Sequence, residues 1–198
     1  DHRRIRIEQV QPEIDSGRYP IKREVGDTVV VTADIFRDGH DKIDADLFFK
    51  PWYQPQWQSV PMELVANDRW TGAFVVEENT RYEYTIGAIP DEFQTWVDEI
   101  EKKHAAGLDV HLEISEGLQL VQAASSQSAS SAEAIRNIRD AAAGAESQAE
   151  AVALLTGPRL AELMRSALPD SDRVWYDKVL SVTVDRVRAR FAAWYELF

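Results

Sequence analysis

The residues best suited to chemistry form a short aromatic segment that runs Pro-Trp-Tyr-Gln-Pro-Gln-Trp. It contains Trp52, Tyr53 and Trp57. Aromatic faces on a protein surface stack on sugar rings, and the neighbouring glutamines supply hydrogen bonds to hydroxyl groups. The alternative is that all three are hairpin and core aromatics, which dominate small β cores. The sequence favours this alternative, and favours it more strongly for Trp70 and Trp96.

Four aspartates invite comparison with a calcium loop: Asp38, Asp41, Asp44 and Asp46. An EF-hand loop requires a glycine at its sixth position and a glutamate at its twelfth. Counted from the first aspartate, these positions hold Ile43 and Phe49, so the pattern fails. The pair Asp38-Gly39 instead predicts a hairpin turn, because this dipeptide favours the turns that join antiparallel strands.

Histidines and paired carboxylates give no stronger signal. His104 and His111 are seven residues apart and are separated by Gly107. Two helical turns place such a pair roughly 10 Å apart, too far to share one metal ion, so we predict surface or capping histidines. Adjacent acids such as Glu77-Glu78 and Asp98-Glu99 point in different directions and are predicted to be solvated. We therefore predict no catalytic residue, no metal ligand and no cofactor site in this sequence.

The composition is that of a soluble globular protein. The 198-residue chain has no cysteine, which excludes a disulfide scaffold, a Cys-ligated zinc site and a cysteine nucleophile. Its 34 acidic and 22 basic residues give a net charge of −12. Such a surface repels phosphate groups and anionic lipids, so we expect no nucleic-acid or membrane partner. The sequence has neither a long apolar run nor a glycine-rich phosphate loop, and we expect a cytoplasmic location.

Aromatic residues divide the chain into three regions. Thirteen lie between Tyr19 and Trp96 and six in the last 24 residues, whereas residues 97–174 have none and hold 16 alanines. Aromatic and β-branched residues favour strands, and alanine favours helices. We therefore predict a β region, a helical region and a short return to β structure.

In the β regions, apolar residues recur in short segments about ten residues apart. The predicted strands lie around Ile5 and Ile7 and at residues 29–36, 46–53, 57–64, 70–76, 81–89 and 179–187. The strand at 29–36 is expected to be covered on both faces. Short strands at this spacing indicate an immunoglobulin-like β-sandwich.

The middle region has helical periodicity. A first helix is predicted around residues 110–121, followed by a Ser-rich connection at 125–131 and by helices around 135–142, 152–155 and 158–168. Helices this short are marginal alone and are expected to pack as a small bundle. The aromatic end of the chain at 191–198 predicts an apolar strand that natural domains avoid exposing, which indicates a fragment of a larger protein.

Several segments occur together in a combination typical of one family: Gly17-Arg-Tyr-Pro-Ile-Lys-Arg-Glu-Val-Gly-Asp27, Ala33-Asp34-Ile-Phe36, Asp38-Gly-His-Asp41, Pro61-Met62, Asn67-Asp-Arg-Trp70, Arg81-Tyr-Glu-Tyr-Thr85, Trp96, Glu101-Lys-Lys103, Ala106-Gly107, Val184-Asp-Arg186, Ala189-Arg-Phe191 and Ala193-Trp-Tyr-Glu-Leu-Phe198. In this combination the chain resembles the bacterial α-1,4-glucan:maltose-1-phosphate maltosyltransferases. The resemblance spans almost the whole sequence.

The resemblance implies an α-amylase relative whose (β/α)₈ barrel is preceded by a β-sandwich with an inserted helical bundle. It implies that residues 1–97 and 173–190 form the sandwich, 98–172 the bundle and 191–198 the start of the barrel, an α+β fold. Members transfer maltosyl units from α-maltose 1-phosphate to an α-1,4-glucan with retention of configuration. Because the nucleophile and the acid/base belong to the barrel, the resemblance assigns no catalytic residue to this sequence.

Three functions follow for comparison. The first is a non-catalytic N-terminal part of a maltosyltransferase, which packs against its own catalytic barrel and contributes to a homodimer. The second is a carbohydrate-binding module that contacts α-glucan through Trp52, Tyr53 and Trp57. The third, a free-standing enzyme, has no supporting cluster of residues.

Overall fold

The computed structural model describes residues 5–39, 41–127 and 131–187, and its fold is α+β, as predicted. The chain forms two compact units. Within the described residues, the β unit comprises residues 5–38, 44–88 and 174–187. The helical unit comprises residues 39–43 and 89–173. The predicted barrel segment at 191–198 lies outside the described residues.

The strands form two sheets. In chain order they are β1 (Arg6–Gln11), β2 (Ile21–Glu24), β3 (Thr28–Phe36), β4 (Lys42–Pro51), β5 (Gln58–Pro61), β6 (Glu63–Ala66), β7 (Arg69–Val75), β8 (Arg81–Asp91), β9 (Val174–Trp175) and β10 (Leu180–Asp185). One sheet has four strands in the order β1-β3-β7-β6. The other has the order β2-β10-β8-β4-β5, and β9 pairs with β8.

The four-stranded sheet buries one face only. In β3, Val29, Val31, Ala33 and Ile35 are at most 1% exposed, whereas Val30 is 53% exposed. This alternation is the pattern of a strand with one covered face. The expectation that residues 29–36 are covered on both faces is therefore wrong.

The two sheets contact each other through side chains of β4 and β7. Phe49 and Phe74 stack with ring centroids 4.4 Å apart and planes inclined by 11°. Gly72 lies so close to the opposite sheet that an added Cβ would meet Leu47 at 3.3 Å and Met62 at 3.0 Å. Glycine at this position therefore permits a close approach between the layers.

Two turn predictions differ from the structure because neighbouring strands belong to different sheets. Asp38-Gly39 lies between β3 and β4, which do not pair, so it is a connection between sheets and not a hairpin turn. The single strand predicted at 57–64 is two strands, β5 in one sheet and β6 in the other. The chain changes sheet at Met62, which is 4% exposed and whose N–H donates to the Ala45 carbonyl.

The helical unit contains five helices within the described residues: α1 (Glu92–Ala105), α2 (His111–Gln127), α3 (Ala132–Ala143), α4 (Gln148–Leu155) and α5 (Pro158–Ser166). The sequence analysis did not predict α1. Asp91 caps its start by accepting a hydrogen bond from the Gln94 N–H at 2.8 Å. Ser125 and Ser126 belong to α2 and donate to the Gln122 carbonyl, so these two serines are helical and not part of the predicted connection.

An apolar core joins the five helices. Its buried residues include Ile100, Val121, Ile135, Leu155 and Leu160. The α1–α2 contact is especially close, because the indole of Trp96 lies across the backbone of α2 at Gly117. The Trp96 Nε1–H donates to the Glu113 carbonyl at 2.8 Å, one helical turn before this glycine.

Candidate functional site

The aromatic segment forms the loop of a hairpin between the antiparallel strands β4 and β5. We call residues 52–57 the aromatic loop. Its rings are exposed: Trp52 by 58%, Tyr53 by 51% and Trp57 by 38%. The hairpin part of the favoured interpretation is therefore correct, but these three residues are not core aromatics.

Hydrogen bonds to neighbouring segments fix the start of the aromatic loop. The Trp52 N–H donates to the Arg81 carbonyl at 2.9 Å, where β8 begins. The Gln54 N–H donates back to the Pro51 carbonyl at 3.0 Å, which closes a tight turn. The loop backbone is thus tied both to β8 and to itself.

Lys50 fixes the far end of the aromatic loop. Its Nζ donates to the Gln54 carbonyl at 3.0 Å and lies 3.6 Å from Oε2 of Glu83. The same ammonium lies 5.0 Å from the centroid of the Trp57 ring, within the range of a cation–π contact. One cation therefore holds the backbone turn and the second tryptophan together.

Tyr53 connects the aromatic loop to the segment between β7 and β8. Its hydroxyl donates to Oε2 of Glu78 at 2.5 Å. This hydrogen bond raises the pKa of Tyr53, because the carboxylate stabilises the neutral phenol. The rings of Trp52 and Tyr53 are 6.4 Å apart with planes at 88°, so their faces point in different directions.

The carboxylates beside the aromatic loop contact donors of the loop and of β4. Glu78 accepts a hydrogen bond from Tyr53, and Glu83 lies 3.6 Å from the Lys50 Nζ. The surface offers ring faces together with hydrogen-bonding groups.

A second polar cluster, which the sequence analysis missed, joins the two ends of the β unit. Glu13 is 12% exposed and accepts hydrogen bonds from the Lys178 Nζ at 2.7 Å and the Tyr176 hydroxyl at 2.6 Å. Nearby, the Tyr84 hydroxyl donates to the Pro12 carbonyl at 2.5 Å. No local signal identifies this cluster, because Glu13 is more than 160 positions from both Tyr176 and Lys178.

The two partners determine the titration of Glu13. Burial by itself raises the pKa of its carboxyl group, but the hydrogen bonds from Lys178 and Tyr176 outweigh burial and lower the pKa below its usual value. Burial and the bond to Glu13 raise the pKa of Tyr176 to about 12. The cluster is thus a carboxylate held between a cation and a neutral phenol, which stabilises the loop before β2.

The remaining sequence candidates lie apart. His104 belongs to α1 and His111 begins α2, with Gly107 between them in a left-handed conformation (φ +71°). The described residues contain no group of three or more His, Asp or Glu side chains placed to hold a metal ion. Trp70 and Trp96 are buried, as predicted, at 9% and 5% exposure.

Asp98 and Glu99 form surface ion pairs, and Glu77 and Glu78 are exposed. Asp98 lies 2.8 Å from the Lys102 Nζ and 3.4 Å from the Lys42 Nζ, and the first of these contacts chiefly lowers its pKa. Glu99 is 4.0 Å from Lys103. These acids are solvated side chains, as the sequence predicts.

Fold and site together define an α+β protein module with a structured, exposed aromatic surface. Across the described residues, no helix is both long and apolar enough to cross a membrane. The comparisons identify the family. Residues 3–186 match the family model described as α-1,4-glucan:maltose-1-phosphate maltosyltransferase, domain N/S. The chain therefore belongs to this family, which confirms the resemblance.

Three relatives named α-1,4-glucan:maltose-1-phosphate maltosyltransferase illustrate the extent of the match. The Myxococcus xanthus protein is 40% identical over 97% of this chain and 30% of its own length. The Chlorobaculum tepidum protein is 37% identical over 99% of this chain and 29% of its own length. The Cereibacter sphaeroides protein is 37% identical over 98% of this chain and 32% of its own length. The chain thus spans about 30% of the length of each of these three relatives.

Proposed function

We propose that this chain is a non-catalytic N-terminal module of an α-1,4-glucan:maltose-1-phosphate maltosyltransferase. The observation that carries the proposal is the match itself, which covers 97% of this chain and only 30% of the Myxococcus xanthus enzyme. In this proposal, the remaining part of the enzyme supplies the catalytic barrel. The module packs against that barrel and takes part in a homodimer.

The two units correspond, in this proposal, to an immunoglobulin-like β-sandwich and an inserted helical bundle. Two features support the sandwich: β3 and β7 are each followed by a strand of the other sheet, and Phe49 stacks on Phe74 between the layers. The common core of the helices supports the bundle. We place the sandwich in the β unit and the bundle in the helical unit, with their boundary between residues 88 and 89, because Phe93, Trp96 and Val97 of α1 belong to the helical core.

Apolar surface on each unit supports a role in assembly. On the outer face of the four-stranded sheet, Val30 and Val75 are 53% and 46% exposed. In the helical unit, Leu108 and Leu112 are 57% and 68% exposed. The net charge of −12 opposes self-association, but salt at physiological strength screens it beyond roughly 8 Å. Two-fold dimers are also the commonest symmetric assembly of soluble proteins.

Sedimentation velocity tests the assembly role. We expect a defined dimer for the 198-residue chain, and the same dimer when the chain ends at Arg190. Val75→Gln and Leu112→Gln, one on each unit, serve as a matched pair that locates the contact, since only the variant in the interface weakens the dimer. If both the full and the shortened chain are monomers, the dimer role is wrong. If only the full chain associates, the association is caused by residues 191–198 and not by a dimer interface of the module.

A phosphate-release assay on the same preparation tests the non-catalytic role. With maltose 1-phosphate and maltoheptaose, we expect no release above a boiled control. Release above that control would show that catalytic groups lie within this chain.

A further inference from the structure

The aromatic loop exposes more aromatic surface than a folded chain needs to leave in water. Three rings within six residues are each at least 38% exposed, although the β unit buries Tyr82, Tyr84 and Phe74 to 4% or less. Contiguous exposed apolar surface of this kind marks interaction sites in soluble proteins. The loop is therefore a candidate recognition surface.

The conformation of this surface is fixed before any ligand arrives. Backbone hydrogen bonds join Trp52 to Arg81 and Gln54 to Pro51, and Lys50 contacts both the Gln54 carbonyl and the Trp57 ring. A ligand therefore does not have to order the loop. Such preorganisation reduces the entropic cost that weak binding sites otherwise bear.

The local charges favour a neutral ligand. Lys50 is paired with Glu83, and the carboxylate of Glu78 lies beside Tyr53, so these charges do not favour the approach of an anion. The chain as a whole carries a net charge of −12, which repels anionic ligands further. A pyranose fits these conditions, because it is neutral and has apolar C–H faces edged by hydroxyl groups. The exposed Gln56 and Gln58 lie beside the rings and bear amides suited to those hydroxyls.

We propose that the aromatic loop binds an α-1,4-glucan chain, with the exposed rings of Trp52, Tyr53 and Trp57 as stacking surfaces and Tyr53 held by its hydrogen bond to Glu78. The loop rings do not form one flat surface, since the planes of Trp52 and Tyr53 are at 88°. A β-1,4-glucan is a flat ribbon and cannot lie on rings that face in different directions. An α-1,4-glucan curves, so that successive sugars present faces at changing angles.

The choice of α-1,4-glucan as the ligand rests on the proposed function, through membership of the maltosyltransferase family. Binding by the aromatic loop does not depend on the dimer role. The binding site lies in one hairpin and needs neither a second copy nor a barrel. A monomeric chain that still binds glucan would contradict only the assembly role. A dimer that does not bind glucan would contradict only this proposal.

Affinity electrophoresis in native gels containing glycogen tests the site. Each stacked ring contributes on the order of 1 kcal/mol, so we expect wild-type dissociation constants near or weaker than ~1 mM. We expect Trp52→Ala and Trp57→Ala each to weaken retardation roughly fivefold and the double variant to migrate as if glycogen were absent. Trp52→Phe, which keeps a ring, is expected to retain part of the retardation.

Two controls separate specific binding from general stickiness. Tyr19→Ala removes a ring that is 51% exposed and lies outside the aromatic loop, and it is expected to leave retardation unchanged. A gel containing a soluble β-1,4-glucan is expected to retard no variant. Circular dichroism of each variant verifies that it is folded.

Three outcomes would overturn the proposal. They are an absence of retardation by glycogen, equal retardation by the β-1,4-glucan, and unchanged retardation of the folded Trp52→Ala, Trp57→Ala double variant.

Discussion

Replacing Gly117 with alanine is expected to destabilise the helical unit, although the same change stabilises most helices. Gly117 lies within α2, where glycine is about 1 kcal/mol less favourable than alanine. The added Cβ would lie 2.2 Å from Cζ2 and 2.6 Å from Cη2 of Trp96. These are ring atoms of a buried side chain, so either the indole or the helix has to move.

The size of the effect follows from that movement. Ordinary contact begins at 3.4 Å, so the ring edge has to shift by about 1 Å. The ring is held by its hydrogen bond to Glu113 and by Phe93, whose ring centroid is 5.6 Å away. Overpacking of this kind costs about 1–3 kcal/mol, and loss of the hydrogen bond adds about 1 kcal/mol. The higher helix propensity of alanine offsets about 1 kcal/mol of this cost, so we expect the free energy of unfolding to fall by about 2 kcal/mol.

Urea unfolding followed by circular dichroism at 222 nm measures this change in the helical unit. Gly144→Ala is the matched control, because its Cβ would meet only backbone oxygens at 3.5 and 3.8 Å. We expect the control to lie within about 0.5 kcal/mol of the wild type. In a Trp96→Leu background, where the indole that the added Cβ would meet is absent, the cost of Gly117→Ala is expected to disappear. A Gly117→Ala variant as stable as the control would refute the reasoning.

Two partly buried acids, Glu13 and Asp91, are expected to show opposite pH dependence of stability. Lys178 and Tyr176 hold the folded-state pKa of Glu13 below the unfolded value of 4.5. The Glu13 carboxylate therefore stabilises the fold above pH 4.5, and this stabilisation is lost as the pH falls through the lowered pKa. Glu13→Gln is therefore expected to be less stable than the wild type at neutral pH and to approach it in thermal unfolding as the pH falls below 4.5; a gap that stays constant with pH would contradict this. Burial raises the folded-state pKa of Asp91, so its charge opposes folding at neutral pH and its contribution improves as the pH falls. Asp91→Asn keeps the acceptor for the Gln94 N–H and is expected to match or exceed the wild type at neutral pH, whereas Asp91→Ala loses about 1 kcal/mol; equal losses in both would contradict the capping role.

Patterns within a few residues predicted the helices of the middle region. The spacing of Leu160, Leu163 and Met164 indicated the face of α5 that is buried in the structure. Gly157-Pro158 placed its start correctly, because proline is favoured at the first helical position. Helical periodicity is a local property, and these residues satisfy it without reference to distant segments.

Helix α1 is not predicted because aromatic content, which favours strands, was given more weight than the helical spacing of the apolar residues. Phe93 and Trp96 were counted as aromatic and therefore as β-forming. Yet Phe93, Trp96, Val97 and Ile100 are spaced as one face of a helix, and all four are buried. The Asp91 cap lies directly before them. The signal was present in the sequence, and periodicity was the better guide than aromatic content.

Exposure of the candidate site was decided only by the tertiary structure. Trp57 directly precedes β5 and Trp70 lies within β7, but Trp57 is 38% exposed and Trp70 is 9% exposed. Trp70 lies in β7 and its Nε1–H donates to the Ile35 carbonyl of β3. Burial of this kind depends on which other elements cover a position, and no neighbouring residue encodes it.

The sequence alone determined the α+β class, most strand and helix positions and, through motifs spread along the chain, the family. The tertiary structure decided which strands pair. Ile21 of β2 lies opposite Val182 of β10 in a parallel pair, and the lysine that pairs with Glu13 lies just before that strand. Backbone preference and turn formation depend on residues within about one helical turn or one hairpin, so a single sequence displays them. Pairing of distant strands depends on how whole faces fit together, so only the folded chain reveals it.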